Sequence, residues 1–194
     1  LAPSPRLLLL DEPLGSLDAA LRERLVVELR DIIKRAGLTA IYVTHDQQEA
    51  FAVADRIAVL RVGHFDQVAT PRELYRRPRT EFVARFLGFT NIVPVQRVEA
   101  GRVITPLGAF AVSGQPRAVL LHPDGLRVDP AGEVSGEVSE VVYRGDHYRV
   151  TLVHASGQPI TLDVPAADGF TPVAGGRLSL SVSPESVLGL PAQP

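Results

Sequence analysis

Residues 7–18, Leu7-Leu8-Leu9-Leu10-Asp11-Glu12-Pro13-Leu14-Gly15-Ser16-Leu17-Asp18, decide how this 194-residue chain is read. Four consecutive leucines make a short, wholly apolar run, the mark of a strand covered on both faces in a parallel sheet. An acidic pair ends the run. From Asp18 the pattern turns helical, with Leu21, Leu25, Leu29, Ile32, Ile33 and Ala36 on one stripe and Arg22, Glu28, Arg30 and Lys34 away from it. Asp18 suits the N-cap and Gly37 the residue just past the helix. Thr39-Ala40-Ile41-Tyr42-Val43-Thr44, rich in β-branched residues, predicts a second strand. A strand–helix–strand unit crosses over right-handedly and pairs its strands in parallel.

Downstream, the pattern predicts a helix over 47–54, a strand over 56–60, a turn at Gly63-His64 and a strand over 65–69. Short helices follow near 71–76 and 80–87. The texture then changes: residues 1–91 carry 4 Gly and 5 Pro, residues 92–194 carry 12 and 11. Two domains are expected, 1–91 and 92–194. In the second, short apolar segments over 93–98, 107–112, 117–121, 134–143, 148–153, 160–164 and 178–182 alternate with Gly, Pro and Asp turns, which predicts a small β-barrel or sandwich. The expected fold class is therefore α/β followed by all-β. Internal repeats are not obvious, although residues 93–188 leave room for two barrel-like lobes.

Composition narrows the function classes. A formal net charge of −2 gives no electrostatic case for nucleic acid or an anionic membrane surface. Residues 92–194 hold 7 Lys+Arg against 10 Asp+Glu and few aromatic residues for stacking, which disfavours an oligonucleotide-binding role for the β part. The absence of Cys removes disulfides and thiolate metal sites and fits a reducing compartment. No apolar run is long enough to span a bilayer, and residues 1–5 lack the basic and apolar regions of a signal peptide. With no Met in the chain, the sequence is expected to begin inside a longer reading frame.

Ligands of open α/β sheets bind beyond the carboxyl ends of the strands. The first strand delivers Asp11-Glu12 there, the second His45-Asp46. Asp can hold Mg²⁺, often through water, because that hard cation prefers oxygen and keeps part of its hydration. A neighbouring carboxylate can orient or deprotonate an attacking water, and a nearby imidazole can donate to a terminal phosphate. Each feature alone is common in loops and helix starts; the ordered set is not. His122, His147 and His154 in the β half are better read as isolated surface or core residues than as a metal site, and Arg144-Gly145-Asp146 as a hairpin turn.

The set resembles one family. Residues 7–18 resemble the Walker B strand and following D-loop of ABC transporter ATPases, and Thr44-His45-Asp46-Gln47-Gln48-Glu49-Ala50 resembles their switch-histidine motif. Ala54-Asp55-Arg56-Ile57-Ala58-Val59-Leu60 and Thr70-Pro71-Arg72-Glu73-Leu74-Tyr75 are similar to the importer branch. The resemblance to the ATPase domain runs to about Pro94. The β half resembles the TOBE-type regulatory region of long importer ATPases through Leu121-His122-Pro123-Asp124-Gly125-Leu126-Arg127, with His122 and Asp124 departing from the usual Arg-Pro-Glu.

The resemblance implies a partial P-loop sheet followed by an oligonucleotide-binding-like barrel. It implies ATP and Mg²⁺ as cofactors, Asp11 on the water shell of Mg²⁺, Glu12 positioning the attacking water and His45 contacting the γ-phosphate. Asp18 would lie at the interface between two ATPase subunits, near the shared nucleotide, while also capping the helix. Gln47, Gln48 and Glu49 are read as helix-start residues. Implied partners are a second copy of the subunit and membrane permease subunits, at the inner face of the cell membrane in the cytoplasm; nucleic acid is not implied. Residues 80–91 lean toward iron or polyamine cargo. A different class of function, a regulatory or dimerisation β-module binding a partner chain or small ligand, stands beside the ATPase reading.

A P-loop needs G-x-x-x-x-G-K-[ST], and the only Lys of this sequence is Lys34. An LSGGQ-like signature is missing too; Ala174-Gly175-Gly176 reads as a β-turn and residues 1–3 resemble the end of the helix that follows the signature. The first sheet is therefore expected to be short of neighbours, with apolar surface exposed or covered by another chain. Without the backbone N–H cradle and its Lys, Asp11 and Glu12 repel a triphosphate unless Mg²⁺ intervenes. The 194-residue polypeptide is expected neither to bind Mg·ATP tightly nor to hydrolyse it; micromolar binding by titration calorimetry contradicts that expectation.

Overall fold

β1 (Leu7–Asp11) and β2 (Thr39–Val43) pair in parallel, Leu7 opposite Thr39 through Asp11 opposite Val43, with α1 (Ala19–Arg35) as the crossover. The structure, a computed structural model, describes residues 5–15, 17–166 and 171–191. Residues 1–3 and Ser16, which enter the sequence reading, lie outside the described residues. The chain forms two compact units, residues 1–76 and 77–194.

In the first unit the caps of α1 fall where the sequence sets them. The Asp18 carboxylate accepts the Leu21 N–H at 3.0 Å. Gly37 takes a left-handed φ of 62°, and the next N–H, of Leu38, returns to the Ile33 carbonyl. The buried stripe differs from the expected one. Val26 is the buried residue, flanked by half-buried Arg22, Leu25, Leu29 and Ile33, whereas Leu21 and Ile32 are exposed. The helix is turned by about one residue, because Arg22 faces inward to polar partners.

The expectation of a strand buried on both faces is also corrected. β1 and β2 form a two-stranded sheet. One face, with Tyr42, meets α1 and α2 (Gln47–Val53) through the side chains of Arg22 and Glu49. On the other, Leu7, Leu9, Ile41 and Val43 are exposed, Leu9 by 67%. A run of leucines records apolarity but cannot count the layers stacked on it. The hairpin of β3 (Ile57–Arg61) and β4 (His64–Ala69) turns on Val62-Gly63, both at positive φ, so His64 belongs to the strand. α3 (Pro71–Arg76) closes the unit.

The second unit opens with α4 (Glu81–Phe86), capped by Thr80. It continues through β5 (Ile92–Pro94), β6 (Arg97–Glu99), β7 (Arg102–Thr105), β8 (Gly108–Ala111), β9 (Ala118–Leu121), β10 (Leu126–Val128), β11 (Val134–Tyr143), β12 (His147–His154), β13 (Pro159–Pro165), β14 (Arg177–Val182) and β15 (Val187–Leu190). Five strands form one sheet in the order β10-β14-β11-β12-β13, with β13 returning beside β10, so the sheet is nearly a closed barrel. Smaller sheets, β15-β9-β5 and β6-β7-β8, complete it. Its core joins Val93, Val119, Leu121, Leu126, Leu152 and Leu180, among others.

Compact packing begins upstream of the composition boundary at residue 91. Ala84 and Phe89 are buried with Ile92, Ala118, Leu120 and Leu190, which ties the α4 region to the β-strands. The single segment expected over 93–98 is two strands in two sheets. The chain changes partner at Val95-Gln96, whose N–H groups go to Arg117 and Ile104 respectively. Asn91, buried, acts as a side-chain rung. It donates to the Thr161 carbonyl at 2.6 Å and accepts the Thr161 N–H at 2.7 Å, joining β13 to the start of β5.

An internal symmetry of strand–turn–strand units, not visible as a repeat in the sequence, emerges here. β9 leads through a 3₁₀ turn, Pro123–Gly125, into β10, and β14 leads through Pro184–Ser186 into β15. β9 pairs with β15 and β10 with β14, so each strand–turn–strand unit is hydrogen-bonded to the other at both ends. The bonds between the turns are reciprocal: His122 N–H to the Ser186 carbonyl at 2.9 Å, Ser183 N–H to the Gly125 carbonyl at 3.0 Å. The contact is close enough that a Cβ on Gly125 would stand 2.1 Å from the Ser186 Cβ. Gly125→Ala is expected to destabilise the protein by about 1–3 kcal/mol through overpacking, with part of the loss recovered by adding Ser186→Gly, both read from urea unfolding midpoints.

Candidate functional site

The hydrogen-bond ladder of β1 runs one residue beyond the strand: the Glu12 N–H donates to the Val43 carbonyl at 2.9 Å. Glu12 then takes a left-handed φ of 43°, uncommon for a residue with a side chain, and the chain turns as the Gly15 N–H bonds back to the Glu12 carbonyl. β2 ends at Val43, and His45 follows two residues later. Parallel strands release both segments at one edge of the sheet, where His45 Nδ1 lies 3.0 Å from Glu12 Oε1. Both side chains are open to solvent, 77% and 52% exposed. The hydrogen bond that the His45 ring donates to Glu12, and then the carboxylate's negative charge, hold the His45 pKa above its ordinary value of 6.5.

Of the residues singled out in the sequence, the structure therefore brings Glu12 and His45 into contact. Asp11 ends the same strand on its exposed face, in line with Leu7 and Leu9. Asp18 is engaged in capping α1. Among the described residues, no group of three or more His, Cys, Asp or Glu side chains is placed to hold a metal ion. One exposed carboxylate fits Mg²⁺ only as an ion carried in by phosphate oxygens and retaining waters. The β-half histidines are dispersed. His122 is buried with its ring 4.8 Å from Phe89, His147 lies against Asp146, and His154 bonds Ser156.

Behind the exposed pair lies a polar cluster that the sequence reading passed over. Glu49 is 4% exposed. Its Oε2 accepts from the Tyr42 hydroxyl at 2.7 Å and the Thr44 hydroxyl at 2.9 Å, and its Oε1 lies 3.5 Å from Arg22 Nε. Arg22 also reaches Asp46 at 3.3 Å and donates to the Leu17 carbonyl at 2.7 Å. Asp46 caps α2, its Oδ1 accepting the N–H groups of Gln48 and Glu49. Burial, and then the Glu49 carboxylate, push the Tyr42 phenol well above its usual range. Read from sequence, a Glu in the first turn of a helix is a capping residue; the signal of another role was its nearness to Tyr42, visible only once β2 and α2 are folded together.

A family model described as TOBE domain matches residues 119–190. The chain is 45% identical to the Fe(3+) ions import ATP-binding protein FbpC of Streptomyces coelicolor, over 98% of its own length and 55% of that protein. It is 50% identical to the Fe(3+) ions import ATP-binding protein FbpC of Streptomyces avermitilis, over 78% of this chain and 45% of that one. It is 38% identical to the spermidine/putrescine import ATP-binding protein PotA of Acidothermus cellulolyticus, over 93% and 52%. The chain spans about half the length of the curated relatives it matches. No described helix is long and apolar enough to cross a membrane.

The His45–Glu12 contact makes a pH prediction. A group whose folded value is raised stabilises the fold fully below its unfolded value, and that contribution is lost as pH rises through the folded value. His45 is therefore expected to titrate above 6.5 by NMR, and Glu12→Gln to bring its midpoint down; an unmoved midpoint in that variant refutes the contact.

Proposed function

We propose, from the premise that this chain belongs with the ATP-binding subunits of ABC importers over the length it shares with them, that Glu12 and His45 form the hydrolytic edge of an ATPase that drives solute import. The observation that carries the reading is the 3.0 Å contact between these side chains at the carboxyl ends of two parallel strands. A carboxylate there can hold a water for attack on a phosphorus, and an imidazolium beside it can donate to the oxygens on which charge develops. Asp11 would hold Mg²⁺ through its water shell, and the ion, when bound with nucleotide, would neutralise phosphate charge. Asp18 would meet a second copy of the subunit close to the shared nucleotide while capping α1. Residues 1–91 would then be the later part of a P-loop ATPase domain, whose phosphate cradle this sequence does not contain.

The β part, residues 92–194, would be a regulatory region, a reading supported by the TOBE match over 119–190. It is also where the second reading, a module that pairs with a partner chain or binds a small ligand, would apply. The partners would be a second copy and membrane permease subunits, at the cytoplasmic face of the membrane. The names of the relatives favour Fe(3+) or a polyamine as the imported solute. In the whole subunit, Glu12→Gln is expected to slow ATP hydrolysis by about 10²–10⁴-fold while nucleotide binding persists; steady-state hydrolysis together with a nucleotide-binding titration checks both halves, and undiminished turnover removes Glu12 from the role.

A further inference from the structure

The first turn of α2 reads Asp46-Gln47-Gln48-Glu49, the spacing at which the fourth residue's carboxylate reaches back to the N–H of the cap residue. α3 makes that closure. The Thr70 N–H donates to Glu73 Oε2 at 3.1 Å, and the Glu73 N–H donates to Thr70 Oγ1 at 3.3 Å. α2 does not. Its cap N–H, from Asp46, goes to Thr44 Oγ1 at 2.9 Å, and Glu49 turns under the end of β2 instead. There the buried carboxylate takes hydroxyl hydrogen bonds from Tyr42 and Thr44 and lies beside the Arg22 guanidinium. A carboxylate is costly to bury unless it is paired and hydrogen-bonded, so its withdrawal from an exposed cap calls for a reason other than capping.

The residues it holds supply one. Thr44 and Asp46 flank His45, and Thr44 Oγ1 is bonded on both sides, donating to Glu49 and accepting from Asp46. Arg22, in contact with Asp46, also grips the Leu17 carbonyl, one residue before Asp18. We propose that Glu49 is a positioning residue: acting through Thr44, its buried carboxylate fixes the turn at 44–46 so that the exposed His45 imidazole meets Glu12, and Arg22 fastens the same turn to the segment entering α1. This deepens the role proposed for Glu12 and His45, but it concerns the geometry of the pair and is decided without hydrolysis. Two exposed side chains do not hold each other in place unaided; a turn fixed from beneath limits the positions His45 can take.

The carboxylates of Glu12, Asp46 and Glu49 all act on His45, so replacing Glu49 would change the field as well as the geometry. The test therefore uses uncharged positions. In the 194-residue polypeptide at constant pH, the shift of the His45 imidazole resonances caused by Glu12→Gln measures the contact. Adding Thr44→Val is expected to shrink that shift by roughly three-fold, as coupled neighbours do in a double-mutant cycle, and Thr44→Ser to preserve it. The His64 and His122 resonances report whether the fold is intact. If Thr44→Val fails to fold, Tyr42→Phe, which removes one hydroxyl from Glu49 and keeps the ring, takes its place with a smaller expected reduction. A full Glu12-dependent shift in the folded variant overturns the proposal, whatever hydrolysis assays show about Glu12.

Discussion

The parallel register of β1 and β2 is the constraint on which the candidate site depends. With Asp11 opposite Val43, the residues one and two places beyond, Glu12 and His45, leave the sheet at the same edge. A slip of one residue would turn every side chain of a strand to the opposite face. It would carry Tyr42 away from Glu49 and turn Ile41 and Val43 toward Arg22 and Glu49. The register is thus held by polar bonds behind the sheet as well as by the backbone ladder, because the Tyr42 hydroxyl has its acceptor on α2. The left-handed turn at Glu12 then lifts that side chain off the strand axis toward His45.

The second unit is built on a different principle. Two strand–turn–strand pieces, far apart in sequence, lend strands to each other's sheets and meet at turns whose backbone bonds are exchanged in pairs. Gly125 is required at that meeting point because there is no space for a Cβ. Asn91 does related work at the barrel's other seam, where a side-chain amide supplies the donor and acceptor that a neighbouring strand would.

Much of the first unit was legible. α1 announces its ends through Asp18 and Gly37, and the strand–helix–strand order fixes the parallel pair before any coordinate is known. The helix face was less so. Stripes beginning at Leu21 and at Arg22 share Leu25, Leu29 and Ile33, and the choice between them rests on where a guanidinium finds its partners, which is a tertiary fact. The leucine run by itself pointed to cover on both faces, since a local pattern does not say how many layers lie on it; the exposed face that is observed was anticipated by the missing neighbours of the sheet. In the β half, the split of 93–98 and the short strands β10 and β15 depend on partners distant in sequence. The contact of Glu12 with His45 could be anticipated because both follow strands; the part of Glu49 could not, because its helix-start position offers an adequate local explanation.

The exchanged strands of the second unit also set an order of events. β9 can pair with β5 as it is made, but its other neighbour and the partner of β10 lie at 177–190, so those edges must wait for segments made some sixty residues later. As the ribosome releases the chain from its N-terminal side, β10 and one edge of β9 emerge before their partners and stand open to other nascent chains. The smaller sheet β15-β9-β5 is complete only when β15 arrives. A truncation that removes this strand would do more than shorten the protein: it would leave β9 without one of its two partners and the exchanged turn bonds without the strand that follows them.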